Sequence, residues 1–363
     1  MPPKAILALE DGAVFEGDAI GAPTTAVGEV VFNTSMIGYQ EMLTDPSYAG
    51  QIVVPTYPMI GNYGINQQDV ESRRIQVRGF VVREACDEPS HWGSQSTLHD
   101  YLASQGVPGV AGLDTRAITR RLRSKGVMMG VLTSEMSPEA ALEHLRRQPS
   151  YGTLDFVREV SVSKSYVWPP EDPSAKYRVA VLDLGVKYNI LRILKAKGCN
   201  VVAVPCTASA DEVLATKPDG IVISPGPGDP ALLEYLVATT KKLMGRAPIF
   251  GICLGHQVLG HAYGGRTFKL KFGHRGGNHP VKDRVTGRVH ITAQNHGYAV
   301  DGDSLPSDVE VTHVNLNDGT VEGMRHKGLP IMSIQYHSEA SPGPMDNVYM
   351  FDRFLEMVEA HKK

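Results

Sequence analysis

The stretch that decides the fold is Ala247-Pro-Ile-Phe-Gly-Ile-Cys-Leu-Gly-His-Gln257. Residues 248–252 form a short apolar run that is typical of a fully buried strand. Residues 254–262 have the apolar spacing of a helix. Cys253 therefore stands where a strand turns into a helix, and glycines two residues before and after it allow a tight turn without a clash at Cβ.

The position of Cys253 allows two interpretations. The N–H groups at the start of the helix carry partial positive charge, which favours a thiolate over a thiol. A lone cysteine at a strand end is, however, more often a buried structural residue. The catalytic interpretation therefore depends on a base elsewhere in the chain.

A base and a group to orient it stand near the C-terminus. Residues 331–336 have the pattern of a strand that leads into His337-Ser-Glu339. In an extended chain residues i and i+2 project from the same face, so we expect Glu339 beside the His337 ring. With Cys253 as nucleophile, these residues form a candidate catalytic triad.

Two motifs, Gly251-Ile-Cys-Leu-Gly-His-Gln257 and Gln335-x-His-x-Glu339, resemble those of the triad-type glutamine amidotransferases. Six further segments narrow the resemblance to the small, glutamine-hydrolysing subunits of carbamoyl-phosphate synthetases, and the likeness runs nearly from end to end. These segments are residues 32–41, 43–48, 56–62, 272–282, 291–298 and 339–346.

The resemblance implies hydrolysis of L-glutamine to glutamate and ammonia through a thioester on Cys253. The ammonia would pass to a large ATP-dependent subunit, the partner in a heterodimer, which makes carbamoyl phosphate for arginine and pyrimidine biosynthesis. The chain contains neither a Gly-x-Gly-x-x-Gly nor a Walker A motif. We therefore expect no cofactor in this chain, and ATP with its metal ion on the large subunit.

The loop Ser224-Pro-Gly-Pro-Gly-Asp-Pro230 follows a predicted strand and is by composition a tight turn. The resemblance gives it a second role, because it pairs the backbone amides of Gly226 and Leu254 as an oxyanion hole. It also implies a set of residues that hold glutamine: Ser47, Gly228, Gln257, Asn295, Gly297 and Tyr298.

Ser47 belongs to the first domain, so its role would place the site near the domain junction. From the residues alone it is a turn residue after Asp45-Pro46. Three positions depart from the usual family pattern, namely Pro225 in place of Asn, Ser338 in place of Pro and Tyr298 in place of Phe. The first two bear on how rigidly the oxyanion loop and the His–Glu pair are held.

The other histidines are weaker candidates for the base. His256 is expected to point along its helix, and His296 is expected in an Asn-His-Gly turn. His274 and His279 stand in a glycine-rich stretch that we interpret as a loop without cysteine or carboxylate partners, which is a weak metal signal. We therefore expect no metal site.

The chain predicts an α/β protein of two domains. Residues 1–150 form a mixed α+β small-subunit domain that would dock the partner and contribute to the site. Residues 151–176 form a linker, and residues 177–363 form a doubly wound, mostly parallel-sheet amidotransferase domain. In the first domain we predict strands at 5–9, 27–32, 51–56 and 76–82, and helices at 96–105, 115–125 and 137–148. In the second we predict strands at 178–182, 200–204 and 220–224, helices at 189–197 and 232–244, a helix opened by the capping box 209–212, and a last helix at 347–359.

Composition excludes several classes of function. A net charge of −3 gives no electrostatic case for nucleic acid or a membrane surface. The first apolar run ends at Glu10-Asp11 and is too short for a signal peptide, and four cysteines without Cys-x-x-Cys spacing fit a reducing cytoplasm. Two other functions stay open at this point: a stand-alone γ-glutamyl hydrolase and a non-catalytic docking homologue.

Overall fold

A computed structural model describes residues 3–362, and the chain divides into two compact units between Leu154 and Asp155. The helices of the first unit are α1 (Tyr39–Thr44), α2 (Leu98–Ser104), α3 (Thr115–Lys125) and α4 (Pro138–Arg146). Its strands are β1 (Lys4–Leu9), β2 (Val14–Gly21), β3 (Thr25–Asn33), β4 (Gln51–Pro55), β5 (Met59–Ile60), β6 (Gly79–Val81), β7 (Glu84–Ala85), β8 (Pro108–Ala111) and β9 (Met128–Thr133).

The first unit is a closed barrel with the strand order β1-β2-β8-β6-β4-β3-β9. The strands β5 and β7 form a separate parallel pair. Helix α4 begins as its sequence predicts: the Ser137 side chain accepts a hydrogen bond from the Ala140 N–H, and Pro138 is the first helical residue. The predicted strand at 76–82 is shorter than expected, because the Gln76 N–H donates to the Leu43 carbonyl instead of to a strand.

The helices of the second unit are α5 (Val157–Val160), α6 (Tyr188–Ala196), α7 (Ala210–Ala215), α8 (Glu234–Leu243), α9 (Leu254–Ala262) and α10 (Tyr349–Lys362). Its first strands are β10 (Tyr166–Val167), β11 (Tyr177–Asp183), β12 (Cys199–Pro205), β13 (Gly220–Ile223) and β14 (Ile249–Ile252). The later strands are β15 (Thr267–Asp283), β16 (Val289–Val300), β17 (Val309–Asn315), β18 (Val321–His326) and β19 (Ile331–Ile334).

These strands form one sheet with the order β10-β12-β11-β13-β14-β19-β18-β17-β15-β16. The strands β12, β11, β13, β14 and β19 are parallel, and the remaining pairs are antiparallel. Alternate residues of β11 enter opposite cores: Val179 and Val181 pack with α6 and α10, whereas Ala180 and Leu182 pack with α7, α8 and α9. This is the predicted doubly wound arrangement.

Residues 151–176, the predicted linker, contain a 3-10 turn at Tyr151–Thr153, helix α5 and strand β10. Strand β10 joins the sheet by antiparallel pairing with β12, and Val157 is fully buried in the core of the second unit. The compact structure of this unit therefore starts at Asp155 rather than at residue 177. Every helix between residues 3 and 362 is too short or too polar to traverse a lipid bilayer.

Candidate active site

Cys253 lies at the carboxyl end of β14 and caps the start of α9. Its backbone has φ 51° and ψ −103°, a conformation that L-residues rarely adopt and that is typical of a nucleophile elbow. The side chain is almost fully buried, with 1% exposed, and the Cys253 N–H donates to the Ile334 carbonyl at 2.9 Å. The backbone strain and the pairing with β19 hold the sulfur at the junction of strand and helix.

The two glycines of the elbow are required by close packing. A Cβ atom on Gly255 would lie 2.1 Å from the Ile223 carbonyl oxygen, and one on Gly251 would lie 2.6 Å from the Leu259 side chain and 2.8 Å from the Gly255 oxygen. Helix α9 therefore approaches β13 and β14 more closely than any residue with a side chain allows. This confirms the steric reason that the sequence predicts for both glycines.

His337 and Glu339 are in direct contact, as predicted, with Nδ1 of His337 2.6 Å from Oε1 of Glu339. The predicted geometry is wrong in one respect, because strand β19 ends at Ile334 and residues 338–339 form a turn. The His337 N–H donates to the Ala293 carbonyl at 2.9 Å, which anchors the residue beside β16. The turn, rather than extended chain, brings the carboxylate to the ring.

Helix α6 holds this turn through two residues at its start. The Lys187 ammonium donates to the Ala340 carbonyl and lies 3.2 Å from Oε1 of Glu339, and both side chains are almost completely buried. The Asn189 amide donates to the Glu339 carbonyl at 2.5 Å. Lys187 and Asn189 thus support the Glu339 carboxylate, and no motif in the sequence marks either residue for this position.

The charges of the site favour an imidazolium–carboxylate pair. Burial alone would raise the pKa of Glu339, but the positive charges of Lys187 and His337 hold it at about 2. Burial likewise opposes the charged form of His337, but the negative charges of Glu339 and Cys253 outweigh it and raise the pKa of His337 to about 10. Since Glu339 occupies Nδ1, the Cys253 side chain faces Nε2, which has no other hydrogen-bond partner among residues 3–362 and is the ring atom available to the reaction.

Gly226 and Leu254, the predicted oxyanion amides, come together at the carboxyl ends of β13 and β14. A Cβ atom on Gly226 would lie 2.8 Å from the Leu254 side chain and 2.1 Å from the Leu184 carbonyl oxygen. Leu254 is the first residue of α9, where a backbone N–H has no acceptor within the helix. Gly228 follows in the same loop with φ 96°, a conformation that suits glycine.

Strand β16 brings three of the predicted glutamine-binding residues to this edge. The Asn295 carbonyl lies 3.6 Å from the Cys253 sulfur, Gly297 and Tyr298 follow in the strand, and the Tyr298 carbonyl accepts from the Gln257 amide at 2.8 Å. The same Gln257 amide donates to Oε1 of Gln335 at 3.0 Å. In this structure the amide nitrogen of Gln257 therefore donates both of its hydrogen bonds within the protein, one to Tyr298 and one to Gln335.

Gln335, the first residue of the Gln335-x-His-x-Glu339 motif, is a further residue of the site. Its amide nitrogen lies 3.6 Å from the Cys253 sulfur, while its oxygen accepts from Gln257. An amide donor at this distance stabilises a thiolate. The sequence motif places Gln335 two residues before His337. From the sequence, however, Gln335 is expected in a strand, and a strand residue near the base has no evident role of its own.

Ser47 lies in the first unit, in the 3-10 turn Pro46–Tyr48. Its N–H donates to the Asp45 carboxylate at 2.9 Å, which is the local turn that the residues alone predict. Its contact with glutamine stays a prediction.

The competing histidines are engaged elsewhere. Nδ1 of His256 lies 2.9 Å from the Ser333 hydroxyl, and burial, with His313 nearby, lowers the pKa of His256 to about 3. The predicted turn around His296 is wrong: Asn295, His296 and Gly297 all lie in β16, and Asn295 and His296 pair with β15. Burial, together with the charge of His274, holds the pKa of His296 well below its usual range.

The stretch around His274 also differs from the prediction. It is strand β15 rather than a loop, and it has carboxylate partners, because Nε2 of His274 lies 2.7 Å from the Asp318 carboxylate and Nδ1 lies 3.7 Å from that of Glu322. Burial opposes the charged form, but these carboxylates raise the pKa of His274 to about 9. Sequence spacing could not show this because Asp318 and Glu322 are more than forty residues away along the chain.

The comparisons with known proteins agree with this geometry. Residues 7–132 match the family model described as carbamoyl-phosphate synthase small chain, CPSase domain, and residues 180–357 match glutamine amidotransferase class-I. Curated relatives named carbamoyl phosphate synthase small chain are 51% identical in Syntrophotalea carbinolica and 52% identical in Akkermansia muciniphila, each over 99% of both chains. A relative of the same name from Aquifex aeolicus is 50% identical over 99% of this chain and 100% of its own.

The chain belongs to the carbamoyl phosphate synthase small-chain family. It is therefore an enzyme subunit with a glutamine amidotransferase domain, as its resemblance at the sequence level implies. Neither a stand-alone γ-glutamyl hydrolase nor a non-catalytic docking homologue is favoured, since relatives that match over their full length carry the small-chain name.

Proposed function

We propose that this small chain hydrolyses L-glutamine through a thioester on Cys253. The observation that carries the proposal is the buried His337–Glu339 pair, whose carboxylate is itself held by Lys187, together with the strained Cys253 elbow. The Cys253 thiolate attacks the side-chain amide carbon of glutamine, and the substrate oxygen becomes an oxyanion. The backbone amides of Gly226 and Leu254 stabilise it, and one such donor contributes roughly 3–4 kcal/mol.

Protonated His337 gives its proton to the departing nitrogen, so that ammonia leaves and the thioester remains. Water then attacks the thioester carbon while His337 accepts its proton, and the C–S bond breaks to release glutamate and regenerate Cys253. Glu339 keeps the ring oriented and stabilises its cation throughout. We further propose that Ser47, Gly228, Gln257, Asn295, Gly297 and Tyr298 hold the substrate.

The family assignment supports a large synthetase chain as the partner, which would receive the ammonia and use ATP and its metal ion to make carbamoyl phosphate. This product would serve arginine and pyrimidine biosynthesis in the cytoplasm. We propose that residues 1–150 dock that chain. Co-expression with a large chain from a relative, followed by size-exclusion chromatography, should give a single complex; full separation of the two chains would contradict the docking proposal.

An electrophilic glutamine analogue tests the site itself. We expect it to label Cys253 and to spare Cys86, Cys199 and Cys206, since burial raises the pKa of Cys199 to about 11 and that of Cys206 above its usual value. Peptide mapping after labelling, with and without excess glutamine, measures this. Equal labelling of all four cysteines, or no protection by glutamine, would contradict the assignment.

A further inference from the structure

Three side chains of the kind that bind metal ions meet in the antiparallel part of the second unit. His274 on β15, His296 on β16 and Glu322 on β18 are buried, and one possible ligand atom from each lies within 4.8 Å of the others. The two imidazole rings are nearly perpendicular, with centroids 4.9 Å apart. None of the three belongs to the catalytic triad.

The second nitrogen of each histidine is already fixed in the way that metal-binding histidines require. Nε2 of His274 lies 2.7 Å from the Asp318 carboxylate, so it carries a hydrogen; Nδ1 faces Glu322, and a metal ion bound there would displace the second proton of the charged ring. Nδ1 of His296 lies 2.7 Å from the Tyr298 carbonyl oxygen, so it carries a hydrogen and leaves Nε2 with its lone pair. A carboxylate and a backbone carbonyl are the usual outer partners of histidines that bind zinc.

The hydrogen-bond network around His296 lacks one donor or cation. Its Nε2 atom lies 3.0 Å from Oε1 of Gln294, so two acceptors face each other in the neutral ring. Exchanging the amide oxygen and nitrogen of Gln294 does not resolve the conflict, because its nitrogen donates to Glu322 at 2.9 Å. The network therefore needs either a second proton on His296 or a cation at the same point.

We propose that Nδ1 of His274, Nε2 of His296 and the Glu322 carboxylate bind a divalent cation of the zinc type. Two imidazoles and a carboxylate, with a fourth position for water, form a ligand set that suits zinc better than magnesium or calcium. Ligand atoms around a tetrahedral zinc ion are roughly 3.3 Å apart, and His274 Nδ1 is already 3.7 Å from Oε1 of Glu322. The proposal revises the sequence-based expectation of no metal.

The amides that now contact these groups would become outer partners of the bound ion. Asn315 donates to Oε1 of Glu322 at 2.8 Å and lies 3.5 Å from Nδ1 of His274, and it would keep the first of these contacts. The ion would tie β15, β16 and β18 together. The role of the ion would be structural. Because β16 also carries Asn295, whose carbonyl contacts Cys253, the ion would support the strand that lies beside the active site.

Zinc binding to the full chain tests the proposal without any measurement of activity. All proteins carry Cys253→Ser, which removes the thiol beside His337 as a competing zinc ligand. Equilibrium dialysis against buffered Zn²⁺, with metal analysis, should give one tightly bound zinc ion per chain. Glu322→Gln should weaken binding at least about 100-fold and Asp318→Asn about 10–100-fold, whereas His290→Asn, on the same strand as His296, should leave it unchanged.

Two results would overturn the proposal. Equal zinc affinity in the parent and in Glu322→Gln would assign the metal to another part of the chain. A folded parent that binds no zinc, with nitrogen-15 spectra showing both ring nitrogens of His296 protonated, would show that a proton completes the network. If Glu322→Gln does not fold, Asp318→Asn still decides the question, because its side chain is 39% exposed and its loss is a milder change.

Discussion

Glu339 shows how a single residue can stay charged in a completely buried position. Its carboxylate contacts both the His337 imidazole and the Lys187 ammonium, at 2.6 Å and 3.2 Å. These two cations offset the free-energy cost of removing the carboxylate from water. An isolated buried carboxylate would not stay charged. The carboxylate can therefore orient His337 and stabilise its positive charge during the reaction.

The roles of the triad predict an order of severity for substitutions. His337→Ala removes the proton acceptor and donor and should lower the single-turnover rate of glutamine cleavage by about 10²–10⁴-fold. Glu339→Gln leaves the imidazole in place and should cost less. Rapid-quench measurements of the complex with its large chain compare the two, and a greater loss in Glu339→Gln would mean that the roles are wrongly assigned.

The His337–Glu339 pair also predicts a pH dependence of stability. The pKa of His337 is raised from 6.5 to about 10, so the folded protein holds a proton that the unfolded chain releases. The pair therefore contributes its full stability between about pH 4.5 and 6.5, loses it as the pH rises through about 10, and also loses it as the pH falls towards about 2, where Glu339 becomes protonated. Urea unfolding should show that the stability difference between the parent and Glu339→Gln shrinks as the pH rises from 6.5 to 10, by at most about 1.4 kcal/mol per pH unit.

The exposed substitution Glu356→Gln is the control for this experiment, and its difference from the parent should vary little with pH. A constant difference for Glu339→Gln would contradict the raised pKa of His337.

At the residue scale, the sequence predicts three candidate reactive groups but not the residues that support them. Cys253, His337 and Glu339 are recognisable because their chemistry demands particular residue types in short motifs. Lys187 is more than 150 residues from Glu339 along the chain, and a lysine before a helix is ordinarily a surface residue. Only the folded sheet brings α6 to the turn at residues 338–339.

At the scale of elements, the start of α6 is predicted to hold the catalytic turn. Lys187→Met would leave the Glu339 carboxylate buried without its ammonium partner, and we expect a loss of about 3–5 kcal/mol of stability together with a large loss of glutaminase activity. Lys197→Met, at the other end of the same helix, removes a more exposed pair with Asp352 and should cost less than about 1 kcal/mol. Similar urea midpoints for the two variants would contradict this role for Lys187.

The packing of α9 gives a second prediction at this scale. Gly255→Ala would place a methyl group 2.1 Å from the Ile223 carbonyl oxygen, so either β13 or the elbow must shift. We expect a loss of about 3 kcal/mol or more. Gly260→Ala, in the same helix, would meet Val300 methyl groups at 3.1 Å and 3.4 Å and the Met324 methyl group at 3.8 Å, and should change stability by about 1 kcal/mol or less.

The effect of this packing on stability is measured by the thermal unfolding of both glycine variants. The rate of Cys253 alkylation in each variant reports any shift of the elbow. Equal melting temperatures in Gly255→Ala and the parent would show that the close approach is not required.

The elements of the second unit were more predictable than those of the first. Short apolar strands alternating with helices identify a parallel sheet directly, and the capping box at Ser209 and Glu212 forms as predicted. The barrel of the first unit depends instead on β2, β8 and β9, none of which was predicted. Strand β8 is four residues that start Pro-Gly, so its conformation comes from pairing with β2 and β6 rather than from its own sequence.

At the scale of the whole molecule, the two units match two different family models, and only the second contains the triad. These matches support the proposed division of labour, in which the amidotransferase unit releases ammonia and a large chain consumes it. Glutamine cleavage should therefore need Cys253, whereas carbamoyl phosphate formation from free ammonia should not.

Cys253→Ser in the complex with the large chain tests this central claim most directly. Serine has nearly the volume of cysteine, so assembly should survive, but its alcohol is a far weaker nucleophile beside an imidazole arranged for sulfur. The complex should make carbamoyl phosphate from added ammonium at the parent rate and make none from glutamine. Equal loss of both activities, or normal use of glutamine, would contradict the account.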